Sequence, residues 1–335
     1  MKAAAAISNN ILQQAIRKEA SDIHFSPLPD RIDIFIRTQG KRTFLKSIPI
    51  PSYNILLTYY KFTSAMDIGE SRRPQNGTMR FQLNNDTYSL RLSTLPVKQM
   101  ESLAIRILPQ EENLPIHQLF LFPSQLNKIM TWITKRSGLI LITGPTGSGK
   151  TTTLYAILEA ILKEKSYQAI TLEDPVEKEI AQILQVQVNE KAGITYQTGF
   201  KAALRHDPDI IMVGEIRDAA TAHFAYEASL SGHLVLSTIH ATHALGTIHR
   251  LKEFGLTSSE LKHSLVAIAA IELLAFETVK HGRRRAAIVE LLDRHLLDIY
   301  FNENDLSFTG YQTFHHLRKK AFAYGFIPKT IPSEI

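Results

Sequence analysis

The feature that most constrains this chain is a strand–loop–helix segment that covers residues 138–163. It begins with an apolar run over 139–142, which is typical of a buried parallel strand because such strands are covered on both faces and do not alternate. The run leads into GPTGSGKT at 144–151, which fits the pattern G-x-x-x-x-G-K-[ST], and a helical stretch follows over 152–163. This context predicts a site that binds a nucleoside triphosphate.

The residue types of this loop suit phosphate binding. Its three glycines lack a Cβ atom, so the backbone can turn its N–H groups inward around an anion, and the start of the helix adds unpaired N–H donors. We expect Lys150 to reach the β- and γ-phosphates of ATP and the Thr151 hydroxyl to ligate Mg²⁺. The predicted nucleotide-binding residues of this segment are Gly144, Pro145, Thr146, Gly147, Ser148, Gly149, Lys150, Thr151 and Thr152.

Composition limits the other possibilities. The chain has 335 residues, enough for about two domains, and its hydrophobic and charged fractions of 44% and 21% are those of an ordinary soluble globular protein. It has no cysteine, which excludes disulfides and thiolate-bound zinc. The net charge of +6 favours an anionic partner such as a nucleotide, a nucleic acid or an acidic membrane surface. The sequence has neither a signal-peptide pattern nor an apolar stretch long enough to span a bilayer.

Residues 1–108 predict a small α+β domain. Residues 1–19 carry the apolar stripe of an amphipathic helix, and the hydrophobic period then changes to two over 32–36. A second helix is predicted over 53–64. The further alternating segments of this domain are 79–83, 88–92 and 103–107.

A polar, proline-marked linker over 109–123 separates this domain from a second one over 124–335. In the second domain strands and helices alternate, which indicates a parallel α/β fold. The candidate strands are 139–143, 169–173, 209–213 and 233–238. After about residue 240 the sequence predicts a mainly helical part, including one helix over 258–276, with a further strand over 286–292.

Three arginines lie on the polar faces of the last strands of the first domain: Arg80, Arg91 and Arg106. Arginines on one sheet could present a surface that binds phosphate groups. They could equally be ordinary solvated positions of a sheet. The residue pattern alone leaves both interpretations open.

Hydrolysis of the nucleotide needs acidic residues near the phosphates, and two strand ends supply them. Glu173 lies in the segment TLEDPVE, at the carboxyl end of a predicted strand, where ligands bind in open parallel sheets. Glu215 ends another apolar strand, directly after Gly214, which stands where a metal-holding aspartate is common. Glu215 must then serve as a ligand of the metal and its water, as the catalytic base, or as both.

Basic residues near these strand ends complete the list of candidates. His240 lies at the end of the fourth strand and could sense the γ-phosphate or polarise the attacking water, although a lone histidine, including His233 on the same strand, is more often structural. Arg205 and Arg217 flank the strand of Glu215, from where they could reach the nucleotide or a neighbouring subunit.

These motifs, in this order, resemble those of the secretion ATPase superfamily, the hexameric motors of type II secretion, type IV pili and competence pseudopili. The segment 144–152 is similar to its Walker A motif, 171–177 to its aspartate box, 204–218 to its atypical Walker B motif, and 232–240 to its histidine box. The resemblance implies a RecA-like P-loop NTPase motor domain preceded by a smaller α+β, PAS-like domain. It also implies ATP hydrolysis with Mg²⁺, with Glu215 as the catalytic carboxylate and metal ligand, Glu173 second, and Arg217 and His240 assisting.

The first domain shares this resemblance through two segments, ASDIHF at 20–25 and MDIGESRRPQNG at 66–77. The resemblance implies that Arg80, Arg91 and Arg106 reach the phosphates from the amino-terminal domain. It also implies a homo-hexamer in which the first domain of one subunit packs on the motor domain of the next, so that domain rotation couples ATP turnover to movement.

Two departures refine the family hypothesis. Many assembly ATPases of this superfamily carry a four-cysteine zinc motif and an extra amino-terminal domain, and this sequence shows neither; after His240 it reads Ala-Thr-His where Thr-Asn-Asp is common. The short, zinc-free form is most similar to the competence pseudopilus ATPases of Gram-positive bacteria. The resemblance therefore implies a cytoplasmic assembly motor at the inner face of the cytoplasmic membrane, working with a polytopic membrane platform protein and without direct nucleic-acid binding. A retraction motor, a DNA-translocating motor and an ATP-gated scaffold with little hydrolysis are the alternatives.

Overall fold

The chain divides into two compact units, Met1–Glu112 and Asn113–Ile335. The computed structural model describes residues 2–38, 40–84, 86–98, 100–110, 114–180, 182–278, 282–303, 305–306 and 309–327. Each unit has a hydrophobic core of its own. Among the described residues, no helix combines the length and the apolar character that a bilayer crossing needs.

Within its described residues, the first unit folds into a six-stranded antiparallel sheet and two α-helices. In chain order these elements are α1 (Lys2–Arg17), β1 (Asp22–Pro27), β2 (Arg31–Thr38), β3 (Lys41–Pro49), α2 (Ile50–Thr63), β4 (Gln75–Leu83), β5 (Asp86–Val97) and β6 (Met100–Gln110). The strand order across the sheet is β3-β2-β1-β6-β5-β4, and every neighbouring pair is antiparallel. This agrees with the predicted α+β fold.

Alternation along the strands builds the core of this unit. Ile32, Ile34 and Ile36 of β2 are at most 2% exposed and pack with Ile11 and Leu12 of α1 in one cluster. Burial of one such side chain is worth about 1.5–3 kcal/mol, so the period of two fixes which face of the sheet the helices cover. The same alternation in β4, β5 and β6 puts Arg80, Arg91 and Arg106 on the other face of the sheet, because their neighbours in each strand belong to this core.

A buried ion pair fixes α2 to the sheet. The Lys61 ammonium lies 2.6 Å from a carboxylate oxygen of Glu101 in β6, and the two side chains are 3% and 6% exposed. Lys61 also donates to the backbone carbonyl of Glu70, and the Tyr53 hydroxyl donates to the backbone carbonyl of Glu101. The pair therefore joins the helix, the sheet and the loop that leads into β4.

The described part of the second unit contains a seven-stranded sheet and eight α-helices. They are α3 (Pro123–Trp132), β7 (Gly138–Thr143), α4 (Lys150–Glu164), β8 (Ala169–Glu173), β9 (Ile183–Gln187), α5 (Tyr196–Ala203), β10 (Ile210–Ile216), α6 (Ala219–Leu230), β11 (Leu234–Ile239), α7 (Ala244–Glu253), α8 (Ser258–Ser264), β12 (Leu265–Thr278), β13 (Gly282–Leu292), α9 (Arg294–Glu303) and α10 (Phe314–Ala323). The strand order is β13-β12-β7-β11-β10-β8-β9. All neighbours are parallel except the β12–β13 hairpin.

Strand β7 lies inside this sheet, between β12 and β11, and each of its residues is buried. Leu139 and Leu141 belong to the core on one face of the sheet, whereas Ile140 and Ile142 belong to the core on the other. Because helices cover both faces, the strand reads as an unbroken apolar run. The α/β fold predicted for this part of the chain is confirmed, and the predicted phosphate-binding loop follows a strand whose residues are all buried.

The helix predicted over 258–276, and with it a mainly helical end of this domain, is wrong. Helix α8 ends at Ser264, and the chain continues directly into β12, which pairs with β7 on one side and β13 on the other. From Ala267 to Ile271 every residue is 0% exposed. A run that is buried on all sides has no period that separates helix from strand, and no glycine or proline marks the boundary.

The linker predicted over 109–123 is also too long. Residues 109–110 end strand β6, residues 111–113 lie outside the described residues, and residues 119–122 are buried in the cores of the second unit. The amide of Leu121 donates to the carbonyl of Ala287, and the amide of Ala287 donates to the carbonyl of Leu119. The prolines and glutamates of this stretch indicate a linker, but its short apolar run over 119–122 is part of the core.

We predict that Lys61→Met destabilises the first unit by about 3–5 kcal/mol, because it leaves the Glu101 carboxylate buried without its cation. The double variant Lys61→Met with Glu101→Leu should recover most of that loss, because a buried apolar pair needs no charge compensation. Urea unfolding followed by circular dichroism measures both changes in unfolding free energy. Equal losses in the single and double variants would contradict a charge-based cause.

Candidate nucleotide-binding site

The loop between β7 and α4 can form only with glycine at its key positions. Gly144, Gly147 and Gly149 have φ angles of +146°, +81° and +88°. A Cβ atom on Gly144 would also lie 2.5 Å from the carbonyl oxygen of Ile271 in β12. Helix α4 then begins at Lys150, with Gly149 in the left-handed region as its N-cap. The loop therefore runs directly into the positive end of a helix, which is a common position for an anion site.

The side chain of Lys150 reaches back from the start of α4 into this loop. Its ammonium group donates to the carbonyl oxygens of Gly144 and Pro145, both at 2.9 Å, and lies 3.5 Å from Nδ1 of His240. Burial lowers the pKa of Lys150 below its ordinary value, and the nearby carboxylates of Glu215 and Glu177 oppose that shift. The side chain thus offers a partly desolvated positive charge to a ligand in the loop.

A cavity of about 500 Å³ opens in front of the loop and runs along the carboxyl ends of the parallel strands. Its walls come from the phosphate-binding loop and α4 on one side and from the ends of β8, β10 and β11 on the other. The residues that line it are Thr146, Gly147, Gly149, Lys150, Thr151, Thr152, Leu154, Glu173, Asp174, Pro175, Glu177, Tyr196, Met212, Gly214, Glu215, Arg217, Thr238, His240 and Leu273. Most of the residues predicted from the motifs of this unit are therefore brought together.

Glu215 stands at an irregularity of the sheet. The pairing of β10 with β11 shifts register between Val213 and Ile216, so the glutamate leaves the regular ladder. One of its carboxylate oxygens lies 3.1 Å from Nε2 of His240, and the other accepts a hydrogen bond of 2.8 Å from Nε of Arg217. The side chain is 18% exposed, so it combines charged partners with access to the cavity.

Arg217 holds two acids at this end of the sheet. Besides its bond to Glu215, it lies 3.5 Å from a carboxylate oxygen of Asp174, which follows β8. The hydrogen bond that Arg217 donates to Glu215 is the main cause that raises the pKa of Arg217, so the guanidinium stays charged. An arginine, two carboxylates and the imidazole of His240 thus form one polar group opposite Lys150.

Glu173 has a different environment from Glu215. Its side chain is 3% exposed, and its carboxylate accepts hydrogen bonds from the hydroxyls of Tyr155 and Thr171 and from the amide of Gln185. These donors come from α4, β8 and β9, so Glu173 joins three elements. A carboxylate with three such donors is well placed to hold the sheet edge and poorly placed to accept a proton from water.

Short hydrogen bonds fix the strand ends around the cavity. The hydroxyl of Thr238 donates to the carbonyl of Gly214 at 2.7 Å, which joins β11 to β10 directly before Glu215. The hydroxyl of Thr143 donates to the carbonyl of Ile239 at 2.9 Å and accepts from the amide of Ala241 at 2.9 Å. The strand that leads into the phosphate-binding loop is therefore bonded to the segment that carries His240.

Other sequence candidates lie elsewhere. His233 comes directly before β11, at the opposite end of the strand from His240, and its Nδ1 lies 3.0 Å from the hydroxyl of Ser231. Arg205 lies in a turn before β10, likewise away from the carboxyl edge of the sheet. Neither residue lines the cavity.

The arginines of the first unit share one face of its sheet. Arg106 in β6 and Arg91 in β5 are direct cross-strand partners, and Arg106 lies 3.0 Å from a carboxylate oxygen of Asp22. Arg80 belongs to β4, the strand at the edge. Side chains of like charge that face one another across strands repel unless an anion is nearby, and Asp22 supplies one beside Arg106.

Several residues of the site were not predicted. Tyr155 and Gln185 bind Glu173, and Leu273 and Tyr196 line the cavity; burial raises the pKa of Tyr196 to about 12. Gln185 and Leu273 lie on strands that the hydrophobic pattern did not identify. The position of Tyr155, just beyond the first turn of the helix that follows the loop, could have indicated from the sequence that it lies near the site.

The oxygen donors of the cavity suit Mg²⁺. Thr151, in the first turn of α4, and Glu215 both line it, and hard oxygen ligands are those that Mg²⁺ prefers. In the part of the chain that the structure describes, no cluster of three or more His, Cys, Asp or Glu side chains could hold a metal ion. Two protein oxygens, from Thr151 and Glu215, are a number from which Mg²⁺ is commonly held together with substrate phosphates.

Comparison with known proteins gives consistent results. The family model described as "type II/IV secretion system protein" matches residues 2–309. Competence protein ComGA of Halalkalibacterium halodurans is 42% identical over 96% of this chain and 95% of its own length, and ComGA of Bacillus subtilis is 41% identical over 96% and 94%. The crystal structure of the pilus retraction motor PilT with bound ADP superposes with a TM-score of 0.76 at 28% identity, over 97% of this chain and 96% of that one.

We predict that Lys150→Ala weakens the binding of ATP about 100-fold, because it removes charge-assisted hydrogen bonds to the phosphates. Titration with a fluorescent ATP analogue measures the dissociation constant. The matched control is Lys163→Ala, an exposed lysine near the other end of α4, which should stay within about twofold of the parent. An unchanged dissociation constant in Lys150→Ala would contradict the predicted contact between Lys150 and the phosphates of ATP.

Proposed function

This chain belongs to the type II/IV secretion system protein family, and from that premise we propose that it is a motor that hydrolyses ATP to power assembly of a pilus or pseudopilus. The observation that carries the proposal is the meeting of Lys150, Glu215, His240 and Arg217 at one cavity. A phosphate-binding loop alone predicts binding, whereas an exposed carboxylate opposite it adds the means of hydrolysis.

In the proposed reaction, the loop amides and Lys150 bind the β- and γ-phosphates of ATP. Thr151 and Glu215 would hold Mg²⁺, which neutralises charge on the phosphate oxygens when it is bound. Glu215 orients water for in-line attack on the γ-phosphorus and accepts its proton, and the bond from phosphorus to the bridging oxygen breaks to release ADP. His240 and Arg217, which both contact Glu215, fix the orientation of that carboxylate.

The relatives support assembly rather than retraction, because the type IV pilus assembly ATPase PilB of Thermus thermophilus is 39% identical over 79% of this chain. Two competence proteins ComGA are 41–42% identical over nearly their whole length, whereas the retraction motor PilT is 28% identical. The scaffold alternative, in which ATP binds but is barely hydrolysed, depends on Gly214, which lacks the carboxylate often found at that place. The partly exposed Glu215 beside it supports hydrolysis instead.

We further propose that the working form is a homo-hexamer at the cytoplasmic face of the membrane, driven against a polytopic platform protein. In that ring Arg80, Arg91 and Arg106 would approach the phosphates, and rotation of the two units would transmit the energy of hydrolysis. The shared sheet face of these arginines supports an anionic partner of this kind. Direct binding of nucleic acid is not part of the proposal.

We expect Glu215→Gln to lower kcat by about 10²–10⁴-fold and to leave ATP affinity within a few-fold, because the amide keeps the shape of the side chain and loses the proton acceptor. Steady-state phosphate release and ATP titration measure the two quantities. Glu253→Gln, which alters an exposed glutamate paired only with Arg250 in the described structure, serves as the control. A Glu215→Gln variant with the turnover of the parent would exclude this residue as the base.

We also expect specific activity to rise with protein concentration, because the arginines would act only in the assembled ring. Arg91→Ala should lower the plateau activity at least about tenfold, since residues that stabilise charge on the transferring phosphoryl group contribute up to about 10³–10⁵. Arg31→Ala is the control, because this arginine of β2 is paired with Asp30 and Asp33. Activity that is independent of both concentration and Arg91 would contradict the proposed ring.

A further inference from the structure

A second buried carboxylate of the second unit lies away from the nucleotide cavity. Glu290, in β13, is 3% exposed. One of its oxygens accepts hydrogen bonds from the amide of Ala244 at 3.0 Å and from the hydroxyl of Tyr311 at 2.9 Å, and the other accepts from the amide of Phe314 at 2.7 Å. These three donors belong to segments that are far apart in the sequence, so the carboxylate is a junction.

Two of the donors are the first residues of helices. Ala244 begins α7 and Phe314 begins α10, so the positive ends of two helices meet at one carboxylate. At the start of α10 the side chain of Thr313 does not cap the helix, and Glu290 supplies the acceptor instead. The negative charge is thus balanced by backbone dipoles and a hydroxyl, and each partner is needed to keep the buried charge satisfied.

The start of α7 also determines the position of His240. The loop 240–243 joins the end of β11 to α7, so only three residues, 241–243, separate His240 from Ala244. The loop is fixed near its first end by the amide of Ala241, which donates to the hydroxyl of Thr143 at 2.9 Å. It is fixed at its other end by Glu290. His240 itself lies 3.1 Å from Glu215 and 3.5 Å from Lys150, inside the site.

We propose that Glu290 is a positioning residue for the nucleotide site, which holds the loop of His240 in place and makes that place depend on the C-terminal segment 311–327. The role rests on the proposed function, because it acts on the turnover of the site. A force or a partner that moves α10 would shift the shared acceptor at Glu290 and, through the amide of Ala244, the histidine beside the catalytic carboxylate. The C-terminal segment is therefore a place from which turnover is regulated.

The competing explanation is that Glu290 only stabilises the fold. A matched control separates the two. Glu272 in β12 also holds α10, because it accepts two hydrogen bonds of 2.9 Å from Arg318, and no hydrogen bond described for Glu272 reaches α7. Glu272→Gln loosens α10 from the sheet, whereas Glu290→Gln loosens both α10 and the loop of His240. Tyr311→Phe removes a single donor from Glu290 and serves where Glu290→Gln folds poorly.

The test measures turnover in a double-mutant cycle on the full chain. We expect Glu290→Gln to lower kcat about tenfold with KM within about twofold, and Tyr311→Phe to lower it in the same direction by less. In a His240→Ala background, Glu290→Gln should add less than about a twofold further loss, because the two residues act in series. Glu272→Gln should lower kcat by less than about twofold, because the amides of Ala244 and Phe314 still share the carboxylate of Glu290. Equal losses in Glu272→Gln, or an undiminished loss in the His240→Ala background, would overturn the proposal.

Amide hydrogen exchange of residues 240–246 provides a test that does not depend on hydrolysis. Exchange there should become about tenfold faster in Glu290→Gln and stay unchanged in Glu272→Gln, because only Glu290 accepts a bond from Ala244. Unchanged exchange in Glu290→Gln would overturn the proposal even if turnover falls. A parent chain without turnover would refute the proposed function, and the exchange result would still decide whether Glu290 positions this loop.

Discussion

The structure of the second unit depends on one constraint, that a tight turn must join a strand buried on both faces of the sheet to the start of a helix. Strand β7 meets the second half of this requirement, because all of its residues are buried and helices cover it on either side. The glycines meet the first half, since the turn from β7 into α4 passes through φ angles that side chains disfavour and approaches β12 too closely for a Cβ atom on Gly144. Parallel pairing then brings the ends of β8, β10 and β11 to the same edge, so their acids and His240 lie opposite Lys150.

The charges at that edge are arranged so that none is cancelled completely. Lys150 donates to carbonyl oxygens, which carry partial charges, and within the described residues no carboxylate lies within ion-pair distance of it; Glu215 and Glu177 act on it from farther away. Glu215 is shared between an imidazole and a guanidinium, and the guanidinium is shared in turn with Asp174. Because burial lowers the pKa of Lys150, its proton is held less tightly than on an exposed lysine, and an added phosphate would stabilise the charged form.

The sequence pattern predicted the elements whose period or motif is explicit. The phosphate-binding loop, the strands that end in Glu173 and Glu215, and the alternation at Ile32, Ile34 and Ile36 all follow from local rules. It failed at β12, where the residues from Ala267 to Ile271 are 0% exposed and no period separates strand from helix. It also failed at β9, which is short and flanked by polar residues. It also could not show that Glu173 accepts bonds from Tyr155 and Gln185, because those contacts join α4 and β9 to β8 only after the sheet has formed. Two acids at equivalent strand ends are therefore alike in sequence and different in structure.

That difference applies to buried glutamates throughout the chain. Glu173 and Glu290 are each 3% exposed, and each accepts three hydrogen bonds. The donors to Glu290 are all uncharged. These hydrogen bonds join elements that lie far apart in the sequence. Glu101 is buried against the cation of Lys61 and serves the same purpose in the first unit. Glu215 is partly exposed, has two titratable or cationic partners, and lies where the sheet register breaks. A carboxylate that must gain and lose a proton needs access to solvent and partners whose charge can respond. By that criterion the proposed catalytic role fits Glu215, and a structural role fits the buried glutamates.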